Sequence, residues 1–311
     1  MARNLISMTD LTYDDVEKIY DLARDVKNNP EGYRKVFRGR SFGLIFEKPS
    51  TRTWVSFEAG IFGMGGAAIY LGPQDLELGK REEIKDVARV LSRYLEAVVL
   101  RTFSHTTITE FAQYFSNPVL NGLSDLEHPC QVLSDYFTIC EKFPDDSNPK
   151  IVFIGDGNNV LHSLIRLTAI LGARLHYATP KTYEPSPEIL KEALAVARKT
   201  GGEIRGFHDP AEAVDKADVV YTDVWVSMGE ESLADSKMKA FQGMQLNGKL
   251  MKKAKKNALV MHCLPAHRGQ EITDEVMESP NSVIFEQAEN RLHVQKAILL
   301  HLCERSKDSE G

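Results

Sequence analysis

Short apolar runs alternate with amphipathic helical segments along this chain, in two successive sets. The first set predicts a helix over 12–29, strands at 41–46, 67–71, 97–100 and 119–120, and helices from 51 and over 81–94, 108–115 and 130–143. The second predicts strands at 151–154, 174–178, 203–207, 219–222, 259–263 and 283–285, with helices at 160–171, 187–199, 210–217 and 290–305. Strands alternating with helices form parallel sheets through right-handed crossovers. The pattern therefore predicts an α/β protein with two doubly wound parallel-sheet domains.

A polar segment flanked by prolines, residues 143–149, separates the two sets. Such segments are typical of domain boundaries, and 311 residues suit two domains of ordinary size. We therefore expect domains over 1–145 and 146–289, followed by a C-terminal helical segment over 290–311.

Composition excludes several classes of function. The net charge of −6 argues against a nucleic acid or an anionic membrane as partner, and no apolar run approaches the roughly 18 residues of a membrane span. The four cysteines are far apart and form no Cys-x-x-Cys pair, which argues against a disulfide framework or a structural zinc site. The first residues lack a secretory signal pattern, so we expect a cytoplasmic protein.

The stretch from Phe46 to Glu58 predicts an anion site. A strand ends at Phe46, and the first turn of the next helix carries Ser50, Thr51, Arg52 and Thr53. The first N–H groups of a helix have no intrahelical partners, and hydroxyls and a guanidinium add further donors. The Walker glycine pattern is missing, and an N-capped helix with a surface arginine is the plain alternative.

Further polar residues follow the neighbouring strands of the first set. Arg101 comes directly after the strand at 97–100, and His128 and Gln131 begin a helix after the next strand. Taken singly, Arg101 is expected to be a surface charge. Because the carboxyl ends of parallel strands meet at one edge of a sheet, these residues together predict a pocket for a phosphate joined to a carbonyl group.

The second set offers groups suited to an amine and one rival interpretation. Asp223 follows a strand and is able to hold an ammonium group, while Cys263 alone reads as a buried thiol. Gly155-Asp-Gly157 resembles a dinucleotide fingerprint, which makes a nicotinamide-dependent oxidoreductase the rival. Val160 occupies the position of the third glycine, however, so that support is weak. No ligand spacing around His262 or His267 completes a metal site.

Over essentially its whole length the chain resembles the aspartate/ornithine carbamoyltransferase family. The motifs that carry the resemblance are Ser50-Thr-Arg-Thr53, Arg101, His128-Pro-Cys-Gln131, Asp223 with Ser227-Met-Gly229, His262-Cys-Leu-Pro265 and Arg291. The segment from Asp223 to Gly229, with Cys263 and Leu264, points to the ornithine-using branch.

The resemblance implies an amino-terminal carbamoyl-phosphate domain, an ornithine domain and a last helix that packs back on the first domain. It also implies a homotrimer or a multiple of trimers, and no metal or organic cofactor. The implied substrates are carbamoyl phosphate and L-ornithine, and the products are L-citrulline and phosphate, in arginine biosynthesis or, in reverse, arginine breakdown.

The resemblance also assigns roles to individual residues. The catalytic residues it implies are Arg52, Arg101, His128, Cys263 and Arg291. Those for carbamoyl phosphate are Ser50, Thr51, Arg52, Thr53, Arg101, His128, Gln131, Cys263, Leu264 and Arg291. Those for ornithine are Asn159, Asp223, Ser227 and Met228, and no residue is assigned to a metal.

Two positions depart from the family pattern. Trp54 stands where relatives usually have a second arginine, and Glu77 occupies a loop position where they have His or Gln. A carboxylate at Glu77 opposes phosphate binding unless Lys80 or Arg81 pairs with it. A different amine acceptor, or a binding module without catalysis, also remains open at this stage.

Overall fold

A computed structural model of the chain describes residues 4–76, 79, 82–143 and 147–305. The chain divides into two compact units, one that takes residues up to Phe137 and from Asn290 onward, and one over Thr138–Glu289. The expected boundary at 143–149 stays a prediction, since residues 144–146 lie outside the described ranges. No helix in the described ranges is long and apolar enough to cross a membrane.

The first unit contains a four-stranded parallel sheet. Its strands are β1 (Ser41–Phe46), β2 (Ala67–Leu71), β3 (Ala97–Arg101) and β4 (Val119–Leu123), in the order β2-β1-β3-β4. The helices up to the end of this part of the chain are α1 (Tyr13–Asn28), α2 (Thr51–Gly63), α3 (Pro73–Leu76), α4 (Ile84–Leu91), α5 (His105–Tyr114) and α6 (Pro129–Lys142), with 3₁₀ turns at Met8–Asp10 and Pro30–Tyr33.

Burial explains why the first sheet forms where apolar runs occur. Every residue of β3 is buried, as expected for a central strand covered by helices on both faces. On one side, Val98 and Leu100 pack in a core with Ile108 and Phe111 of α5. Strand β2 is only half-buried, because the strand order places it at the edge of the sheet.

The second unit contains a five-stranded parallel sheet. Its strands are β5 (Lys150–Ile154), β6 (Arg174–Ala178), β7 (Glu203–Phe207), β8 (Val219–Thr222) and β9 (Leu259–His262), in the order β7-β6-β5-β8-β9. Its helices are α7 (Asn159–Leu171), α8 (Pro187–Thr200), α9 (Pro210–Val214), α10 (Ala234–Ala240), α11 (Gly248–Met251) and α12 (Asp274–Met277), with a 3₁₀ turn at Glu231–Leu233. The last helix, α13 (Ile284–Arg305), begins in this unit and belongs to the first unit from Asn290 onward. The strand order reverses between β5 and β8, where ligands of such sheets bind.

The predicted α/β class with two parallel sheets is confirmed, and one predicted strand is wrong. Residues 283–285 begin helix α13 at Ile284 instead of forming a sixth strand. Ser282 makes one isolated parallel bridge to Val260, and Val283 N donates to Val260 O at 3.0 Å, before the chain turns into the helix. An apolar run of three residues is too short to show the periodicity that distinguishes a strand from the buried start of a helix.

Candidate active site

The polar stretch after β1 and Arg101 emerge side by side at the carboxyl edge of the first sheet. Phe46 of β1 is the register partner of Arg101 of β3, and Glu47 N donates to Arg101 O at 2.8 Å. Arg101 in turn lies opposite Leu123, the last residue of β4. The sheet register therefore brings together three segments that the sequence separates widely.

The start of α2 provides hydroxyl groups and helix N–H groups in one place. Ser50 is the extended N-cap residue, and its hydroxyl donates to Thr53 Oγ1 at 3.0 Å and accepts from Thr53 N at 3.4 Å. Arg291 of α13 also donates, from Nη2, to Thr53 Oγ1 at 2.7 Å. The last helix thus brings a guanidinium to a helix N-terminus, which itself favours an anion.

Arg101 is a buried cation among other cations. Its side chain is only 8% exposed, and its Nε has no hydrogen-bond partner among the described residues. Burial, followed by the charges of Arg291 and Arg52, lowers the pKa of Arg101 to about 10. The guanidinium remains charged at neutral pH, and an anion would supply the missing acceptor.

His128 is buried near the same positive charges. Burial lowers its pKa well below the usual value, and the charges of Arg291, Arg101, Lys48 and Arg52 lower it further. The ring is therefore neutral at pH 7 and is able to donate a hydrogen bond without adding charge. We call Lys48, Arg52, Arg101 and Arg291 the cation cluster.

Sequence reasoning missed Lys48. It is 7% exposed, and its ammonium lies 5.1 Å from the centre of the Phe103 ring. The sequence did contain a signal for it, because Lys48 lies two residues before the predicted phosphate motif. A buried cation at that position adds to the positive potential that attracts an anion.

The buried amide of Gln131 has a defined orientation. Gln131 Nε2 donates to Asp135 Oδ1 at 2.8 Å, one turn later on α6. A carboxylate only accepts, which fixes the NH2 end of the amide on Asp135. Gln131 Oε1 is therefore directed elsewhere and is suited to accept from an N–H donor.

In the second unit, Asp223 is held by three donors at the end of β8. Its Oδ1 accepts from Cys263 Sγ and from Val224 N, both at 2.8 Å, and its Oδ2 accepts from Asn158 Nδ2 at 2.8 Å. The carboxylate is buried, as is the thiol. Since the thiol donates, Cys263 carries its proton in this arrangement.

The two asparagines after β5 have different positions. Asn158 caps α7, because its Oδ1 accepts from Val160 N at 3.0 Å and from Leu161 N at 3.1 Å, while its amide holds Asp223. Asn159 is the first residue of α7 and is half-buried. Sequence reasoning assigned only Asn159 a role, since a cap that also holds a carboxylate requires knowing where Asp223 lies.

The loop after Asp223 presents Ser227 and Met228. Ser227 N donates to Glu230 Oε2 at 3.1 Å, and Gly229 N donates to Glu231 Oε1 at 2.9 Å. Met228 is 50% exposed. The loop therefore exposes one apolar side chain while neighbouring carboxylates hold its backbone, and we call residues 227–231 the acceptor loop.

The Gly155-Asp-Gly157 turn is explained by packing, which removes the basis of the nicotinamide interpretation. A Cβ on Gly157 would lie 2.4 Å from the Glu184 carbonyl carbon and from Pro185 N. Asp156 Oδ2 accepts from the buried Lys237 Nζ at 2.5 Å. Gly157 is therefore needed because the backbone at residues 184–185 packs directly against it, and Asp156 pairs with Lys237.

His262 and Leu264 belong to the turn after β9. Asp223, His262 and Cys263 place donor atoms within 4.8 Å of one another, a spacing that a metal ion requires. His262 Nε2, however, lies 3.1 Å from Glu271 Oε1, and its Nδ1 accepts from Leu264 N at 2.8 Å. Both ring nitrogens are thus engaged in holding the turn, and Leu264 there has a positive φ of 58°.

The two departures from the family pattern have different outcomes. The Trp54 ring stacks on Tyr70 of β2 with centroids 4.5 Å apart and is 37% exposed. It therefore forms part of an aromatic surface next to the edge strand. Glu77, Lys80 and Arg81 lie outside the described residues.

Two family models match almost the whole chain. The model of the aspartate/ornithine carbamoyltransferase carbamoyl-P binding domain matches residues 3–141, and that of the Asp/Orn binding domain matches residues 147–302.

Several similar proteins and solved structures are named ornithine carbamoyltransferase. The chain is 50% identical to the ornithine carbamoyltransferase of Archaeoglobus fulgidus over 99% of both chains, and 47% identical to the "Ornithine carbamoyltransferase, anabolic" of Pyrococcus furiosus over 96% of this chain and 95% of that protein. The crystal structure of the anabolic ornithine carbamoyltransferase from Campylobacter jejuni has a TM-score of 0.94 and 41% identity, covering 97% of this chain and 99% of that one. The ornithine carbamoyltransferase structure from Pyrococcus furiosus has a TM-score of 0.91 and 46% identity, covering 96% of each.

The cation cluster predicts that the substitution Arg101→Met weakens phosphate binding. Inorganic phosphate should bind this variant about tenfold to a hundredfold more weakly, because a buried charge-assisted hydrogen bond contributes about 1.5–3 kcal/mol. Isothermal titration calorimetry with phosphate measures the change. Arg89→Met is the control, since Arg89 forms an exposed ion pair with Asp86 and should leave phosphate affinity unchanged. Equal affinities in Arg101→Met and the wild type would contradict the assignment.

Proposed function

The chain belongs to the aspartate/ornithine carbamoyltransferase family, and from that premise we infer that it transfers the carbamoyl group of carbamoyl phosphate to the δ-amine of L-ornithine. The products are L-citrulline and phosphate. The observation that carries this conclusion is identity of about 50% over nearly the full chain to relatives named ornithine carbamoyltransferase. Arginine biosynthesis is the direction that the word anabolic in one relative's name supports.

We assign phosphate binding to the start of α2 and to Arg101. Ser50, Thr51, Arg52 and Thr53 offer hydroxyl, guanidinium and helix N–H donors, and the buried Arg101 adds a charge. Charged donors in a buried site hold a dianionic phosphate more strongly than neutral ones. The phosphate that leaves after the transfer would be stabilised by the same groups.

We assign polarisation of the carbamoyl group to Arg52, Arg101, His128 and Arg291. As the amine attacks, negative charge develops on the carbonyl oxygen and on the leaving phosphate, and preorganised donors stabilise both. A neutral His128 ring is suited to donate to the carbonyl oxygen. Gln131 Oε1, oriented by Asp135, would accept from the carbamoyl NH2. Cys263 and Leu264 remain assigned to carbamoyl phosphate through the family resemblance.

We assign ornithine binding to Asn159, Asp223, Ser227 and Met228. The carboxylate of Asp223 is suited to attract and orient the δ-amine. Ser227 and Met228 would bind the α-carboxylate and α-amine through side chain and backbone, since they lie on the acceptor loop.

A lysine-like amine has a pKa near ~10.4 and must lose a proton before it attacks. We propose that Cys263 relays this proton. Sγ would accept the amine proton while its own S–H proton passes to Asp223 Oδ1, with which it is already hydrogen-bonded at 2.8 Å. The amine becomes the neutral nucleophile, Asp223 becomes the neutral acid, and Cys263 remains a thiol.

A homotrimer in the cytoplasm is part of the same proposal. Val55 and Phe62 of α2 and Ile69 of β2 are exposed, and α2 and β2 border a concavity of about 560 Å³. Exposed apolar patches beside an edge strand are typical of protein–protein interfaces. Light scattering measures the mass directly, and a 34.9 kDa particle would rule out the trimer.

The acceptor assignment predicts the outcome of a substrate panel. With carbamoyl phosphate, the protein should form product rapidly with ornithine, and not with aspartate, putrescine or acetylornithine. Those molecules lack the free α-amine, the α-carboxylate or the δ-amine that the proposal uses. A colorimetric assay of the carbamoylated products makes the comparison. Binding of both substrates without citrulline formation would instead indicate a binding module.

The relay predicts the kinetics of Cys263→Ala. Its kcat should fall by about a hundredfold, the usual scale of proton-transfer catalysis, and its pH profile should shift to higher pH because the amine must then deprotonate unaided. Steady-state rates between pH 6 and 10 test this (roughly spanning the ordinary pKa values of His and Lys). Cys140→Ala, in α6, is the matched control. An unchanged rate and pH profile in Cys263→Ala would rule out the relay.

A further inference from the structure

Lys237 of α10 has its charged end buried between two carboxylates. Its side chain is 2% exposed, and Nζ lies 2.5 Å from Asp156 Oδ2 and 2.5 Å from Glu230 Oε2. The ammonium also lies 5.3 Å from the centre of the Tyr183 ring. Among the charged side chains, lysine is seldom this deeply buried unless it is paired.

The partners of Lys237 come from three different loops at the carboxyl edge of the second sheet. Asp156 follows β5, Tyr183 follows β6, and Glu230 lies on the acceptor loop after β8. Tyr183 O also accepts from Gly157 N at 2.9 Å, which joins the first two loops directly. One ammonium group therefore connects the loops on both sides of the point where the strand order reverses.

Glu230 links Lys237 to the residues that we assign to the substrate. Its Oε2, which accepts from Lys237, also accepts from Ser227 N at 3.1 Å, and Glu230 N donates to Ser227 O at 3.0 Å. At the other end, Asp156 lies two residues before Asn158, which holds Asp223. The chain of contacts from Lys237 thus reaches both the acceptor loop and the carboxylate proposed for the δ-amine.

We propose that Lys237 is a positioning residue that holds the acceptor loop in the conformation that binds the α-carboxylate and α-amine of ornithine. This inference rests on the proposed function. Lys237 would not touch the substrate and would act through Glu230. The contacts of Asp156 with Lys237 and of Glu230 with Lys237 would set the position of Ser227.

The charge of Asp156 supports this arrangement. Burial raises the pKa of Asp156 to about 6, while Lys237 opposes the shift and Glu230 and Asp223 add to it. At neutral pH the carboxylate is therefore ionised and attracts the ammonium. Removing the lysine leaves a buried carboxylate without its counter-charge, which is unfavourable in a protein interior.

The test is Lys237→Met, measured by steady-state kinetics with each substrate varied in turn. We expect the KM for ornithine to rise on the order of tenfold, about 1.4 kcal/mol of binding. The KM for carbamoyl phosphate should stay unchanged, because the phosphate-binding residues belong to the other unit. Lys237→Arg keeps the charge and should recover most of the ornithine affinity.

A matched control and a second variant separate positioning from general stability. Lys255→Met removes a lysine from an exposed ion pair with Asp218 in the same unit and should leave both KM values unchanged. Glu230→Gln alters a half-exposed residue, so it should fold and should also raise the ornithine KM. If Lys237 acts through Glu230, the double variant Lys237→Met/Glu230→Gln should be no worse than Lys237→Met alone.

Each remaining outcome is decisive. A wild-type ornithine KM in Lys237→Met would overturn the inference, and so would a parallel loss of kcat and stability with both KM values unchanged. A wild-type protein that forms no citrulline would instead contradict the proposed function, which the panel detects before any variant is made.

Discussion

The crowding of like charges around a neutral histidine is the constraint on which the first unit depends. Burial and neighbouring cations lower the pKa values of both Arg101 and His128. Such a cluster is unfavourable when no anion is present, so an anion that binds it also stabilises the folded state. The sheet register, the start of α2 and the last helix all contribute to bringing these groups together.

The second unit differs from the first, because the group we propose for the cationic amine is a buried carboxylate, Asp223. Asp223 accepts hydrogen bonds from an amide, a backbone N–H and a thiol within the described part of the chain, and none of these three donors carries a positive charge. The buried Lys237 forms its ion pairs with Asp156 and Glu230. In the proposed mechanism, the carboxylate that attracts the substrate amine is therefore distinct from the two carboxylates that pair with Lys237.

The sequence predicted the parts of the site that depend on strand ends. Ser50 and Arg101 follow apolar runs, and parallel strands place such residues at one edge. The contacts of Lys48, Asn158 and Lys237 were missed because each depends on which loops meet in three dimensions, which no local pattern records. The strand expected at 283–285 was wrong because a short apolar run also suits the buried start of a helix. Which residues touch substrate stays a proposal.

The titration of His128 tests the cation cluster most directly. In phosphate-free protein, ¹⁵N NMR of the imidazole, assigned with a His128→Gln variant, should show a ring that is still neutral at a pH below the ordinary histidine pKa of ~6.5, because burial and the neighbouring cations lower the His128 pKa. Added phosphate should raise the His128 pKa, because it offsets the surrounding positive charge. A His128 ring that titrates at the ordinary value and does not respond to phosphate would contradict the account.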